Sequence, residues 1–97
     1  MAEPLQFEWD SDKAAANFVK HGISFNSAVA VFADPDVVFL DTTRDQDGER
    51  RQKAIGLIEG RLFVVVFTLR DEVYRLISAR PTNASEERSY GDRSSNS

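Results

Sequence analysis

Apolar and polar residues change rhythm along this chain, and each rhythm points to a different element. The opening "LQFEWD" alternates over Leu5, Phe7 and Trp9, which predicts a short first strand. Asp10 or Ser11 then offers an N-cap, and Asp12 is well placed in a first helical turn. "KAAANFVKHG" has helical spacing with Ala14, Ala15 and Phe18 on one face. It closes on Lys20, His21 and Gly22, a basic last turn before a residue suited to left-handed geometry. Ser24 opens a second helix with Phe25, Ala28, Val29 and Phe32 on one stripe. Pro35 ends it, because the residue before a proline is pushed out of helical geometry.

From Val37 onward the period shortens to that of strands. "VVFLDTT", "RRQKAIGLI", "RLFVVVFTLR" and "VYRLISAR" are separated by the polar loop "RDQDGE" and the tight connections "EG" and "DE". The third of these runs is the most apolar and should lie at the centre. Asn83 or Ser85 caps a short closing helix over residues 83–90, and residues 91–97 read as a flexible polar tail. The expected fold is α+β: a short N-terminal strand and two helices packed on a twisted antiparallel sheet, a four-strand meander, with a short C-terminal helix. Residues 1–90 form one domain.

Strand parity assigns the side chains of the last run. Tyr74, Leu76, Ser78 and Arg80 share one face, and Val73, Arg75, Ile77 and Ala79 the other. Arg51, Ile55 and Leu57 share a parity in the second run, with Arg51 at its start. That arrangement could gather arginines at one rim of the sheet.

Composition narrows the class. Ninety-seven residues make one domain, with 41% hydrophobic and 29% charged residues, as in a globular chain. No cysteine is present, so disulfides and thiolate metal sites are excluded. The longest apolar run is too short for a bilayer, and the N-terminus lacks a basic-then-apolar leader. A soluble, cytoplasmic protein without a membrane partner is the expectation. The net charge of −4 argues against general nucleic-acid binding, yet residues 1–49 carry −7 and residues 50–97 carry +3. Eight of the nine basic residues in the second half are arginine, whose planar fork suits phosphate.

Metal chemistry is disfavoured by a single histidine and by an Asp-rich loop that lacks the ligand order of a calcium site. Phosphate-loop, dinucleotide and Ser-His-Asp signatures are absent, so no cofactor is expected. Metal-free cleavage of RNA is compatible with the remaining residues. The 2′-OH of RNA is its own nucleophile, and a protein needs only proton transfer and charge stabilisation around the phosphorus. Lys20, His21, Arg51, Arg75, Arg80, Arg88 and Tyr90 supply such groups. Each also has a plainer use: Lys20 and His21 as helix caps, Arg75 and Arg80 as rim cations, Arg88 on a solvated helix face, Tyr90 as a staple between helix and sheet.

Four pieces, in order, carry a resemblance: "WDSDKAAAN", "KHGISF", "FADP", and "RLISAR" followed by "ERSY". From about Phe7 to Tyr90 the chain resembles the BrnT toxins of bacterial type II toxin–antitoxin systems. The resemblance implies a RelE-like fold and a metal-independent endoribonuclease that blocks translation. It implies a BrnA-like antitoxin partner with a ribbon-helix-helix part, contact with operator DNA only through that antitoxin, and pairing of the toxin with itself inside the complex. Carried across by residue, it puts Arg51 and Arg80 on the scissile phosphate with Arg75 in support. Lys20 and His21 become candidates for proton transfer or phosphate contact, Tyr90 and Arg88 for orienting RNA, and Ser78 and Thr68 for hydrogen bonds in the site. The segment "PTNAS" departs from relatives that carry more arginine there. A second function class therefore stays open: a binding module with little catalysis that acts with its antitoxin as a transcriptional co-repressor.

Overall fold

The computed structural model describes residues 5–95. Strand β1 is Gln6–Glu8, helix α1 is Ser11–His21, and helix α2 is Phe25–Ala28, which tightens into a 3₁₀ turn over Val29–Ala33. Then come β2 (Val38–Asp41), a second 3₁₀ turn (Asp45–Asp47), β3 (Gln52–Ile58), β4 (Arg61–Arg70), β5 (Val73–Pro81) and α3 (Ala84–Ser95). No helix among the described residues is long and apolar enough to cross a membrane.

Local chemistry sets the helix ends. The Asp10 carboxylate accepts from the amides of Asp12 and Lys13, at 2.8 and 3.2 Å, and starts α1. Gly22, at φ 75°, ends it by donating its amide to the Phe18 carbonyl. Ser24 caps α2 through the Ser27 amide. Asn83 and Glu86 form a reciprocal capping box on α3: the Glu86 amide donates to Asn83 Oδ1 and the Asn83 amide to Glu86 Oε1, both at 2.9 Å. Helix α3 runs on to Ser95 rather than ending at Tyr90, and residues 96–97 of the expected tail lie outside the described residues.

The sheet corrects the expected topology. It has five strands, not four, and is mixed, in the order β1-β5-β4-β3-β2. β4 holds the centre, as its apolar run predicts. β1 lies parallel to β5, pairing Gln6 with Val73 and Glu8 with Arg75, because β5 leaves an open edge that a second partner can cover. β1 stops after Glu8, and farther along that edge the Asn17 side chain takes over. Its Oδ1 accepts from the Ala79 amide at 3.0 Å, and its Nδ2 donates to the Ala79 carbonyl at 2.9 Å. One side-chain amide thus pairs with β5 as a strand would, and also donates to the Ile23 carbonyl.

That bond overturns the face expected for α1. Asn17 is the buried residue, while Phe18 and Val19 are 56% and 86% exposed. A polar residue that satisfies a sheet edge outweighs apolar neighbours on a helix whose other side meets solvent.

Strand parity on β5 also fails, for a definite reason. Val66 pairs with Ser78 and Phe67 with Leu76, so Ile77 is an unpaired bulge residue. Beyond the bulge every side chain changes face. Tyr74, Leu76 and Ala79 join the helix-covered core with Val65, Phe67, Phe25, Ala28 and Val31. Arg75, Ser78 and Arg80 oppose Thr68, Val66 and Val64 and share the other face. On that second face Tyr90 of α3 seals a smaller core with Ile55 and Val64.

Gly56 permits the close contact between β3 and the 3₁₀ turn. A Cβ there would lie 2.8 Å from the Val31 carbonyl oxygen. The two tight turns both use left-handed backbone, Glu59 and Gly60 at φ 50° and 82°, and Asp71 and Glu72 at φ 50° and 69°.

Candidate nucleic-acid interface

The bulge on β5 is where basic side chains from distant segments meet. Ile77 and Ser78 line two adjoining hollows, of about 250 and 290 Å³. The first lies between strands and is completed by Thr42, Arg44, Arg51 and Val66. The second lies beside α1 and is completed by Lys13, Ala16, Asn17, Lys20 and His21. The two hollows meet at Ile77 and Ser78, and the groove they make carries Lys13, Lys20, Arg44 and Arg51 with His21 among the described residues.

The local fold explains the convergence. Lys13, Ala16, Asn17 and Lys20 fall at i, i+3, i+4 and i+7 on α1, so they share one face. Because Asn17 is bonded to Ala79, that face is anchored against β5 and the two lysines flank the bulge. Arg51 leads into β3, where the Thr43 hydroxyl accepts from the Arg51 amide at 2.7 Å and bridges back to the Arg51 carbonyl. The Arg51 Nε is shielded from solvent, so its side chain is held and not free to sweep. A cluster of cations around small and apolar side chains offers sites for backbone anions beside a surface a ribose or base can touch.

Lys20, His21, Arg51 and Ser78, expected from sequence, are brought together in this groove. Arg80, Tyr90, Thr68, Arg75 and Arg88 do not line it. Arg80 makes a two-pronged ion pair with Glu86, Nη1 to Oε1 and Nη2 to Oε2, both at 2.9 Å. Lys53 reaches the same carboxylate at 2.9 Å. Glu86 is 1% exposed. Burial works against its charge, yet the bonds from Arg80, the Asn83 amide and Lys53 outweigh burial and hold its pKa down at about 2.

Tyr90 donates its hydroxyl to Asp34 at 2.6 Å. Burial, and then the Asp34 carboxylate, push that phenol up to about 12. Asp34 also accepts from the amides of Asp36 and Leu57, which gives the "FADP" stretch a clamping part between the 3₁₀ turn, β3 and α3. Burial raises the Asp34 pKa, but the bonds from Tyr90 and the two amides lower it overall. Thr68 is buried and donates to the Arg50 carbonyl at 2.8 Å. Arg75 pairs with Glu8 at 2.9 Å, which ties β1 to β5. Arg88 sits on the exposed surface of α3.

The arginine-rich second half therefore spends much of its charge internally. Arg50, Arg70, Arg75 and Arg80, with Lys53, each meet a carboxylate. The groove instead recruits Lys13 and Arg44, which sequence reasoning left without a role. For Lys13 a signal existed, its seven-residue spacing from Lys20. For Arg44 there was none, since only the folded loop brings it to Arg51. Among the described residues no group of three or more His, Cys, Asp or Glu side chains is placed to hold a metal ion.

A family model described as the ribonuclease toxin BrnT of type II toxin–antitoxin systems matches residues 9–86. No curated protein matches the chain.

Proposed function

The chain belongs to the BrnT family of ribonuclease toxins of type II toxin–antitoxin systems, and from that membership we propose that it cuts RNA in the groove at the β5 bulge. The observation that carries this reading is the meeting of Lys13, Lys20, Arg44, Arg51 and His21 in the two hollows that share the β5 bulge.

Arg51 and Arg44 bind the scissile phosphate and stabilise charge on the phosphorane. His21 is the general base, because an imidazole nitrogen can accept a proton from a hydroxyl. It removes the 2′-OH proton as the 2′-oxygen attacks phosphorus. The bond from phosphorus to the 5′-oxygen breaks, and Lys20 donates a proton to that oxygen. The products are a 2′,3′-cyclic phosphate and a 5′-hydroxyl, and no metal is needed. Ser78 hydrogen-bonds the phosphate or ribose. Arg80, Arg75, Thr68 and Tyr90 act as positioning residues, and Arg88 meets RNA outside the groove. A BrnA-like antitoxin neutralises the toxin in the cytoplasm and carries the pair to operator DNA.

The test is cleavage of an end-labelled RNA by the purified chain in the presence of chelator. Cleavage should leave cyclic phosphate ends, and Arg51→Ala and His21→Ala should each lower the rate by about 100-fold or more. Undiminished cleavage by both variants would overturn the assignment. A second reading, the co-repressor with little catalysis, is favoured by Glu86 occupying both Arg80 and Lys53. Normal growth and intact RNA on induction without antitoxin would support that reading instead.

A further inference from the structure

A third hollow, of about 610 Å³, adjoins the groove through His21, which lines both. It lies between the α1–α2 junction and the β3–β4 turn, and its size falls within the range of small-molecule sites. Its chemistry differs from that of the groove. Asn26 and Ser27 bring neutral hydrogen-bonding groups from α2, and Glu59 and Arg61 bring opposite charges from the turn. Arg61 lies 5.4 Å above the Phe63 ring, so its guanidinium plane is backed by an aromatic face. A site with one carboxylate and one guanidinium is ill suited to a phosphate anion. It is well suited to a neutral, flat, polar-edged ring: stacking on guanidinium and aromatic planes is how proteins hold unpaired bases, and amide and carboxylate groups read their edges.

We propose that this cavity is a nucleobase-binding site, which takes a base next to the phosphate held in the groove and gives the cut its sequence preference. The proposal rests on the groove being an RNA site. The phosphate backbone follows the cationic groove past His21. One base turns inward, stacks against Arg61 over Phe63, and meets Asn26 and Glu59 with its edge. Glu59 favours guanine, whose adjacent N1–H and N2–H can both donate to one carboxylate, since an ionised carboxylate only accepts hydrogen bonds.

The experiment uses full-length ¹⁵N-labelled protein and 2′-O-methyl RNA trinucleotides of each base, which lack the attacking hydroxyl and stay intact. Saturable shifts are expected at the amides of Gly22, Asn26 and Arg61 as well as at Ser78 and Arg51. Arg61→Ala should weaken binding by about 5- to 100-fold, and Asn26→Ala should narrow the differences among bases. Both side chains are on the surface, so the fold should survive. A trinucleotide abasic at each position in turn should lose the cavity shifts for one position only. Shifts confined to Ser78 and Arg51 would overturn the base site and leave the groove standing. Shifts at neither place would overturn both. An abasic probe that moves the cavity amides at every position would show that something other than a base occupies it.

Discussion

Replacing Glu86 by glutamine tests the joint between α3 and the sheet. The carboxylate is almost wholly buried, holds Arg80 with two hydrogen bonds and Lys53 with a third, and closes the capping box through the Asn83 amide. Its pKa falls from 4.5 to about 2. At about 1.4 kcal/mol per unit, that difference links about 3 kcal/mol of folding stability to its ionisation. The sign follows from a depressed folded-state value. The contribution is fully present above the unfolded value of 4.5 and drains away as the pH falls towards 2. Glu86→Gln removes the charge with little change of shape and strands two partly buried cations. The expected loss at about pH 7 is roughly 3 kcal/mol, the low end for a broken buried pair because Arg80 and Lys53 keep some solvent. Urea unfolding followed by circular dichroism reads this directly. With a slope of ~1.5 kcal/mol per molar, the midpoint should fall by about 2 M. Between about pH 5 and pH 2, the variant should lose less further stability than the native chain, by about 3 kcal/mol. A midpoint within ~0.3 M of native at neutral pH, together with an unchanged acid limb, would show that Glu86 does not anchor the helix.

Three further substitutions probe separate joints. Asn17→Ala leaves the amide and carbonyl of Ala79 without their side-chain partner and should cost about 2–3 kcal/mol, with faster hydrogen exchange at the Ala79 amide as the local sign; unchanged exchange there would deny its strand-like part. Gly56→Ala drives a Cβ to 2.8 Å from the Val31 carbonyl and should cost about 1–3 kcal/mol, seen as a lower melting temperature. Glu72→Gly relieves a left-handed turn residue at φ 69° and should stabilise by about 0.5–1 kcal/mol, raising the melting temperature by roughly 2–8 °C; no rise would mean that the turn carries little strain.

The sequence alone determined the elements, and much of the family. Caps such as Asp10, Gly22 and Ser24 act within a few residues of themselves, so their effect can be read without knowing the fold. The apolar run of β4 marks the strand that is covered on both faces, and its central place follows from that. The ordered motifs from Trp9 to the "ERSY" stretch carry the resemblance to the toxin family, and the family match over residues 9–86 covers all of them but "ERSY". Lys20, His21 and Arg51 were also legible as candidates, since their types suit phosphate and proton chemistry, and Ser78 entered through the family resemblance.

Tertiary structure decided which charges are available, because pairing depends on distance in space and not along the chain. Glu86 lies six residues from Arg80 but thirty-three from Lys53, and it joins both to α3 instead of leaving them for substrate. Asp34 claims Tyr90 across fifty-six residues. The largest reversal comes from one unpaired residue. A strand pattern carries strict parity only while the ladder is continuous, and nothing in "YRLISAR" announces that Ile77 will be skipped. That skip puts Arg75, Ser78 and Arg80 on one face. Asn17, bonded to Ala79, sets α1 beside the bulge, so Lys13 and Lys20 line the hollow next to the one lined by Arg44 and Arg51, and an acidic chain gathers cations there.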